Sequence, residues 1–154
     1  MEQTLVLVKP DGVQRGLVGE ILARFERKGL KVVGLRLLTV PLGMAERHYT
    51  VHAGKHFYGS LVELITSGPV VAVALEGPDA IATVRRLVGS TLPNEAAPGT
   101  IRGDLGISGL RNLIHASDAA ETATTELTLW FESGELLDYE RAIDNWIVAE
   151  EPRG

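Results

Sequence analysis

No cysteine occurs among the 154 residues. That removes disulfides, thiolate nucleophiles and Cys-type zinc sites, and it fits a reducing compartment. Basic charge is not in excess either: 15 Lys and Arg stand against 20 Asp and Glu, for a formal net charge of −5. A surface built for non-specific nucleic-acid binding is therefore not expected, although a local basic pocket is compatible with that balance. Long apolar runs are missing as well. The opening "MEQTLVLVKPDG" has no basic leading region and only a short apolar run. Neither a secretory leader nor a membrane span is expected, and cytoplasm is the default location. There is no Walker-type G-x-x-x-x-G-K-[ST], and "GLVGEI" lacks the spacing of a dinucleotide-binding loop. Without an internal repeat, a low-complexity segment or a Pro/Gly/Ser-rich linker, residues 1–154 are expected to form one domain.

What is present reads as alternating strands and helices. "TLVLVK" (4–9) is apolar on both faces, as a central strand would be, and "PDG" stops it with turn chemistry. "GEILARFERKG" (19–29) has a helical apolar stripe at Ile21, Leu22 and Phe25, with Gly29 at its C-terminal stop. "LKVVGLRLL" (30–38) predicts a second strand with Val33, Leu35 and Leu37 on one face. Residues 43–66 predict two helices broken near "AGKHFYG", "VVAVALEG" (70–77) a third buried strand, and 77–89 a helix with Pro78 near its first turn. Residues 90–111 show no period, and a loop this long in a compact domain is usually functional or disordered; Ile101, Leu105 and Ile107 favour the ordered, functional case. "NLIHAS" (112–117) closes the set of strands. A helix follows at 118–131, with Asp118 and Glu121 spaced like a variant capping box. This order predicts an α/β (α+β) chain with a ferredoxin-like βαββαβ sandwich: a four-stranded antiparallel sheet with helices packed on it. The alternative is a small doubly wound parallel sheet.

Several polar residues interrupt apolar strands or sit in the long loop: Lys9, Arg85, Thr91, Arg102, Asn112 and His115. Brought to one side of the sheet, the three cations and the neutral donors would make a phosphate site. Each also has a plain reading. A strand-end lysine is usually a solvated charge, one of Arg85 and Arg86 should be surface, and a lone strand histidine is more often structural. His115 is thus either a core histidine or the centre of the chemistry. If phosphate binds beside it, neutral imidazole is a competent nucleophile and a fair leaving group, provided one nitrogen is free and an acceptor holds the other. Glu126 could reach back from the following helix, with Ser117 supporting its carboxylate, although spacing alone favours an exposed charge. His48, His52 and His56 lie four apart without a completing carboxylate and read as surface or loop histidines.

These stretches together resemble the nucleoside diphosphate kinases. "TLVLVKPDGVQRGLVGEILARFERKGLKVVGLRLL", "HYTVHAGKHFYGSLVELITSGPVVAVALEG", "GSTLPNEAAPGTIRGDLG" and "RNLIHASD" match that family in register over about residues 3–131, leaving 132–154 as a C-terminal tail. The resemblance implies ping-pong transfer of the γ-phosphate of a nucleoside triphosphate to a nucleoside diphosphate. It implies a phosphohistidine on His115, with Mg²⁺ carried by the nucleotide phosphates and no dedicated metal ligand. Lys9, Arg85, Thr91 and Arg102 match phosphate-binding positions, and Asn112 the ribose contact. Phe57 matches the base-stacking position, Tyr49 the tyrosine beside the histidine, and Ser117 and Glu126 the support behind it. Nucleoside tri- and diphosphates are the implied partners, without membrane or nucleic acid, together with a homo-oligomer, a hexamer rather than a tetramer, in which loop residues such as Pro93 approach a neighbour. A stacking ring tolerates every base, so low base specificity agrees with the residue types. Two departures stand out: Ala116 and Leu105 occupy positions where the family usually has glycine and commonly an aromatic. All the expected catalytic types are present, which argues against a non-catalytic binding protein on the same scaffold. The acidic balance disfavours a DNA-binding or nuclease activity. In the tail, Leu136, Tyr139, Ile143 and Trp146 recur at helical spacing, and Trp146 and Ile147 are expected to reach a neighbouring subunit.

Overall fold

Strand β1 (Glu2–Val8) runs through the middle of the molecule, with β3 (Val70–Gly77) on one side and the short β4 (Ile114–Ala116) on the other. β2 (Lys31–Leu38) pairs outside β3, giving the order β2-β3-β1-β4. Every pairing is antiparallel. This is the ferredoxin-like arrangement, and it excludes the doubly wound parallel alternative. The structure is a computed structural model and describes residues 1–150; the last four residues of the expected tail, 151–154, lie outside the described residues.

The alternation of side chains along β1 divides the core in two. Leu5 and Leu7 face a cluster built from α3 (Leu42–His48), α4 (Tyr58–Thr66) and α7 (Ala120–Trp130). Val6 and Val8 face the other cluster, with Ile21 and Phe25 of α2 (Val18–Lys28) and Val84 and Val88 of α5 (Ala80–Val88). The full burial of Leu5 through Val8 is what a strand covered on both faces demands. His115 pairs with Leu7 across the β1–β4 ladder, so its ring projects to the α3/α4/α7 side.

Several local expectations are corrected. "PDG" does not simply end β1: Pro10 opens a short helix, α1 (Pro10–Gln14), where its missing N–H costs nothing. The periodless loop contains α6 (Ile101–Leu105), capped by Thr100, whose Oγ1 accepts from the Gly103 N–H at 3.0 Å. A bulge between Val32 and Gly34 breaks the face predicted for β2. Val33 is buried, whereas Leu35 and Leu37 are 57% and 69% exposed. A Cβ at Gly34 would lie 2.8 Å from Leu136 and 3.0 Å from Phe131, so only glycine lets those side chains cross the strand there. Asp118 and Glu121 form no capping box; Ala119 is the N-cap of α7, and no side chain caps it. At α5 the helix begins after Pro78, and the Glu2 carboxylate accepts from the Ile81 N–H at 2.8 Å.

The tail folds back along its own β2. The Leu137 N–H donates to the Val33 carbonyl at 2.8 Å, and Arg141 donates to the carbonyls of Gly29 and Leu30. Its helical spacing is realised only in α8 (Asp144–Ile147). Ile147 packs against Gly29, while Trp146 is 89% exposed. Pro93, expected to approach a neighbour, is buried against Gly106 of its own chain.

Candidate active site

A cleft of about 1470 Å³ opens between the α3–α4 segment, the long loop and the C-terminal end of β4. Lys9, Tyr49, Phe57, Arg85, Thr91, Arg102, Asn112, His115 and Glu126 all line it; of the expected site residues only Ser117 does not. Arg47 and Arg111 raise the lining cations to five, and Asp118 and Glu121 are exposed carboxylates at its edge. Arg85 reaches the cleft while Arg86 stays on the surface against Thr83 of its own helix.

The centre is an imidazole–carboxylate pair. His115 Nε2 lies 2.5 Å from Oε2 of Glu126, which is buried on α7. With Nε2 engaged, Nδ1 is the nitrogen left for the cleft, and the His115 side chain is 26% exposed. Glu126 is therefore not the exposed helix charge that spacing alone favoured. Ser117 does not support it. The Ser117 N–H donates to the Leu5 carbonyl at 3.1 Å and its Oγ accepts from the Leu5 N–H at 3.4 Å. The serine thus extends the β1–β4 ladder, and Glu126 Oε1 is buried without a partner.

The second half of the site is a braced backbone. Lys9 is buried at the end of β1, with its Nζ 2.5 Å from the Asn112 side-chain oxygen. Burial lowers its pKa to about 8; Asp11 partly opposes this, and Arg102 and Arg111 add to it. The Asn112 amide N–H donates to the Thr91 carbonyl at 3.1 Å, which ties the loop to β4. Arg102 is buried and donates to the carbonyls of Gly89, Asn112 and Ile114. Burial, then Arg85, lowers its pKa to about 10, with Asp11 opposing. Its guanidinium has five N–H groups, so two remain for an anion. Lys9 likewise keeps two ammonium protons.

At the cleft mouth Phe57 is half-buried among the rings of His52 and His56, with centroids 5.2 and 5.3 Å away, and with the Lys55 ammonium 5.6 Å from its own centroid. Tyr49 is buried, and burial followed by the charges of Glu126 and Asp11 drives its hydroxyl pKa upward, so it stays protonated. The ring that packs edge-on against His115 is that of His48, with centroids 4.6 Å apart and planes at 81°. His48 also packs edge-on to Tyr49 at 4.7 Å. Its side chain is 1% exposed, which corrects its reading as a surface histidine. Sequence spacing set His48 beside His52 and His56, but it is the last residue of α3 and turns inward, while the other two follow in the connecting turn. The useful signal was its adjacency to Tyr49.

His48, His115 and Glu126 form the one group among the described residues with three metal-type ligand atoms in reach of one another, within 4.8 Å. Two nitrogens and one carboxylate oxygen suit a hard oxygen-seeking cation such as Mg²⁺ poorly. Ala116 has no positive φ; among the described residues the non-glycine ones that do are Asp79 and Leu113. Among the described residues no helix is long and apolar enough to cross a membrane.

The family model described as nucleoside diphosphate kinase matches residues 2–136. A nucleoside diphosphate kinase of Desulforamulus reducens is 54% identical over 147 residues, covering 96% of this chain and 99% of the relative. One of Archaeoglobus fulgidus is 55% identical over 150 residues, covering 97% and 99%. Among solved structures, a nucleoside diphosphate kinase family protein from Babesia bovis superposes with a TM-score of 0.93 at 47% identity, covering 96% of this chain and all of that one. A halophilic nucleoside diphosphate kinase from Halobacterium salinarum, in complex with CDP, gives 0.93 at 48% identity, covering 96% and 98%.

Proposed function

The chain belongs to the nucleoside diphosphate kinase family, a family of phosphotransferases, and from that premise we propose that His115 carries the phosphoryl group between two nucleotides. The observation that carries this reading is the His115 Nε2–Glu126 Oε2 contact of 2.5 Å with Nδ1 left toward a cationic cleft. With the proton on Nε2, the lone pair of Nδ1 attacks the γ-phosphorus. The bond from that phosphorus to the bridging oxygen breaks, and the diphosphate leaves with the electron pair. The imidazole becomes an N-phosphoryl group whose positive charge Glu126 balances. In the second half-reaction a terminal oxygen of another nucleoside diphosphate attacks, the N–P bond breaks, and Nδ1 recovers its lone pair. Lys9, Arg85 and Arg102 compensate the equatorial charge, which is most of what phosphoryl transfer asks of a protein. Tyr49 backs the His48 ring that meets the histidine.

Thr91 is a further phosphate donor, Asn112 meets the ribose and Phe57 stacks on any base. Ser117 acts through the strand that carries His115 and not through Glu126. Mg²⁺ would come with the nucleotide, held by its phosphate oxygens and by no dedicated protein ligand, and would supply charge neutralisation there. The buried carboxylate of the cleft, Glu126, is committed to His115, which supports a metal that comes with the substrate. We read residues 1–154 as one working domain, core 3–131 and tail 132–154, in the cytoplasm. The net charge of −5 supports nucleotides over nucleic acid as partners. Exposed Leu35, Leu37 and Trp146 support a homo-oligomer, taken as a hexamer.

The test is direct. Incubation with γ-labelled ATP should give acid-labile label on the protein that chases into GTP on addition of GDP, and His115→Ala should take up none. Normal turnover by His115→Ala would remove the phosphohistidine from the mechanism.

A further inference from the structure

α7 presents two side chains to the site from one face. Glu126 and Trp130 are four residues apart, one helical turn, and both are buried. Glu126 meets His115 directly. Trp130 meets His48: its indole N–H donates to His48 Nδ1 at 3.0 Å. An indole nitrogen can only donate, so His48 Nδ1 must be the bare, accepting nitrogen, and the neutral ring carries its proton on Nε2.

His48 stays neutral. Burial first, then the neighbouring His115, His52 and Lys9, hold its pKa far below the ordinary imidazole value. Its place at the C-terminus of α3 would favour a cation, but too weakly to offset burial. The neutral ring has an unusual cost. His48 Nε2 is buried with no partner, and a buried donor without an acceptor carries the full penalty of its lost hydration. A leucine or phenylalanine filling the same space would avoid that cost but would strand the buried Trp130 indole N–H instead, so the imidazole answers a hydrogen-bond demand that volume alone does not.

The geometry around it supplies the account. The His48 ring stands edge-on to His115 at 4.6 Å and 81°. It also touches Tyr49 and Trp130 at 4.7 and 5.3 Å, so it is held on three sides. His48 Nδ1 lies 3.7 Å from Glu126 Oε2. Two acceptors face each other there, so His48 cannot compete for the carboxylate, which is left to the N–H of His115. We infer that His48 is a positioning residue for the nucleophile: fixed through Nδ1 by the Trp130 indole, its ring keeps His115 turned with Nε2 on Glu126 and Nδ1 in the cleft. A half-turn of the His115 ring about Cβ–Cγ would carry Nε2 off Glu126 to the place of Cε1 and Nδ1 to the place of Cδ2, out of its cleft position; the His48 ring, edge-on at 4.6 Å, stands against that motion. The inference rests on the phosphohistidine reading and concerns how that histidine is kept ready.

The experiment uses the full-length protein with ¹⁵N-labelled histidine, and long-range ¹H–¹⁵N spectra at neutral pH that report which ring nitrogen is bare. In the wild type both His115 and His48 should carry the proton on Nε2. A wild-type His48 protonated on Nδ1 overturns the inference with no variant needed. Trp130→Phe removes the donor and keeps a ring; His48→Ala removes the brace; His48→Asn restores an acceptor for the indole. In folded Trp130→Phe and His48→Ala the His115 tautomers should mix. The single-turnover rate of His115 phosphorylation should fall about tenfold or more, the scale on which small misplacements of reacting groups act. Nucleotide affinity should change less than about twofold, and His48→Asn should recover much of the rate. Unmixed tautomers and an unchanged rate in either folded variant defeat the proposal. A wild type that takes no label from γ-labelled ATP instead defeats the reading it rests on, a separate outcome.

Discussion

The Asp11 carboxylate accepts the Leu113 N–H at 2.9 Å, at a residue whose φ is +72°. Ile114 donates to the Asn112 carbonyl at 2.8 Å, so residues 112–114 form a γ-turn of the rare, strained hand two residues before the proposed nucleophile. The Lys9 N–H holds the Leu113 carbonyl at 2.9 Å, and Arg102 holds the carbonyls on either side of it. Strain of this kind persists only where the surroundings over-determine it. Asp11→Ala is expected to cost about 1.5–3 kcal/mol, the range for a hydrogen bond to a charged group, and to lower turnover by loosening Asn112 and His115. Asp11→Asn retains an acceptor and should lose far less of both. Urea unfolding and steady-state rates check this; equal losses in the two variants would separate the carboxylate from the turn.

Lys9 gives a pH dependence with a definite sign. Its folded pKa of about 8 lies below the ordinary 10.5 because burial outweighs Asp11, with Arg102 and Arg111 adding repulsion. The folded state therefore binds fewer protons than the unfolded one between those values. The burden of burying the ammonium is full below pH 8 and is relieved as pH rises toward 10.5. Nucleotide phosphates prefer the charged form, so affinity for ADP should weaken as pH rises through about 8. Lys9→Arg, always charged, should keep affinity to higher pH if its fork fits. Titration calorimetry from pH 6.5 to 9.5 would decide; a flat wild-type profile counts against Lys9 as a phosphate contact.

How far the sequence led depends on the kind of signal. β1 and β3 announced themselves through unbroken apolar runs, and α2 through its stripe ending at Gly29, because burial on two faces or on one stripe leaves a period. β2 misled because a bulge at Val32–Gly34 is a register event, invisible to alternation. Three of the five cations of the cleft, Lys9, Arg85 and Arg102, were legible from their places at a strand end, a helix end and the long loop; Arg47 and Arg111 were not. His48 was not, since its inward turn depends on Trp130, 82 residues away. The Leu113 turn was equally hidden: nothing about leucine advertises a positive φ.

Ala116 stands in ordinary strand geometry where the family usually has glycine. It lies in β4 without positive φ, its side chain is buried in the second core, and Arg85 donates to its carbonyl at 3.2 Å. Ala116→Gly should leave the transfer rate nearly unchanged and lower stability by about 0.5–1 kcal/mol through backbone entropy. A large rate gain would mean that alanine constrains the nucleophile after all.

Phe57 should act on all nucleotides alike. Stacking in single-strand binding proteins is worth about 1–3 kcal/mol per base and is blind to base identity. Phe57→Ala is expected to weaken ADP, GDP and CDP by similar factors in equilibrium binding. A loss confined to purines would point to a different base contact.

The tail divides into a part folded on its own domain and an exposed end. Leu137, Tyr139 and Arg141 are committed to their own chain, through Val33, Val32, Gly29 and Leu30. Truncation after Ser133 removes all of these and should lower the melting temperature by several degrees, since each kcal/mol shifts it by about 2–4 °C at this chain length. Trp146 and Ile143, 89% and 54% exposed, contribute little to that packing. Exposed aromatic surface beside the half-open edge of β2 suits contact with a second copy of the chain, closed by symmetry. Trp146→Ala should therefore reduce assembly in sedimentation velocity while leaving the label on His115 intact. Truncation should do both. An assembly indifferent to Trp146 and to truncation would confine the tail to its own subunit, and a monomeric full-length protein would remove the oligomer itself.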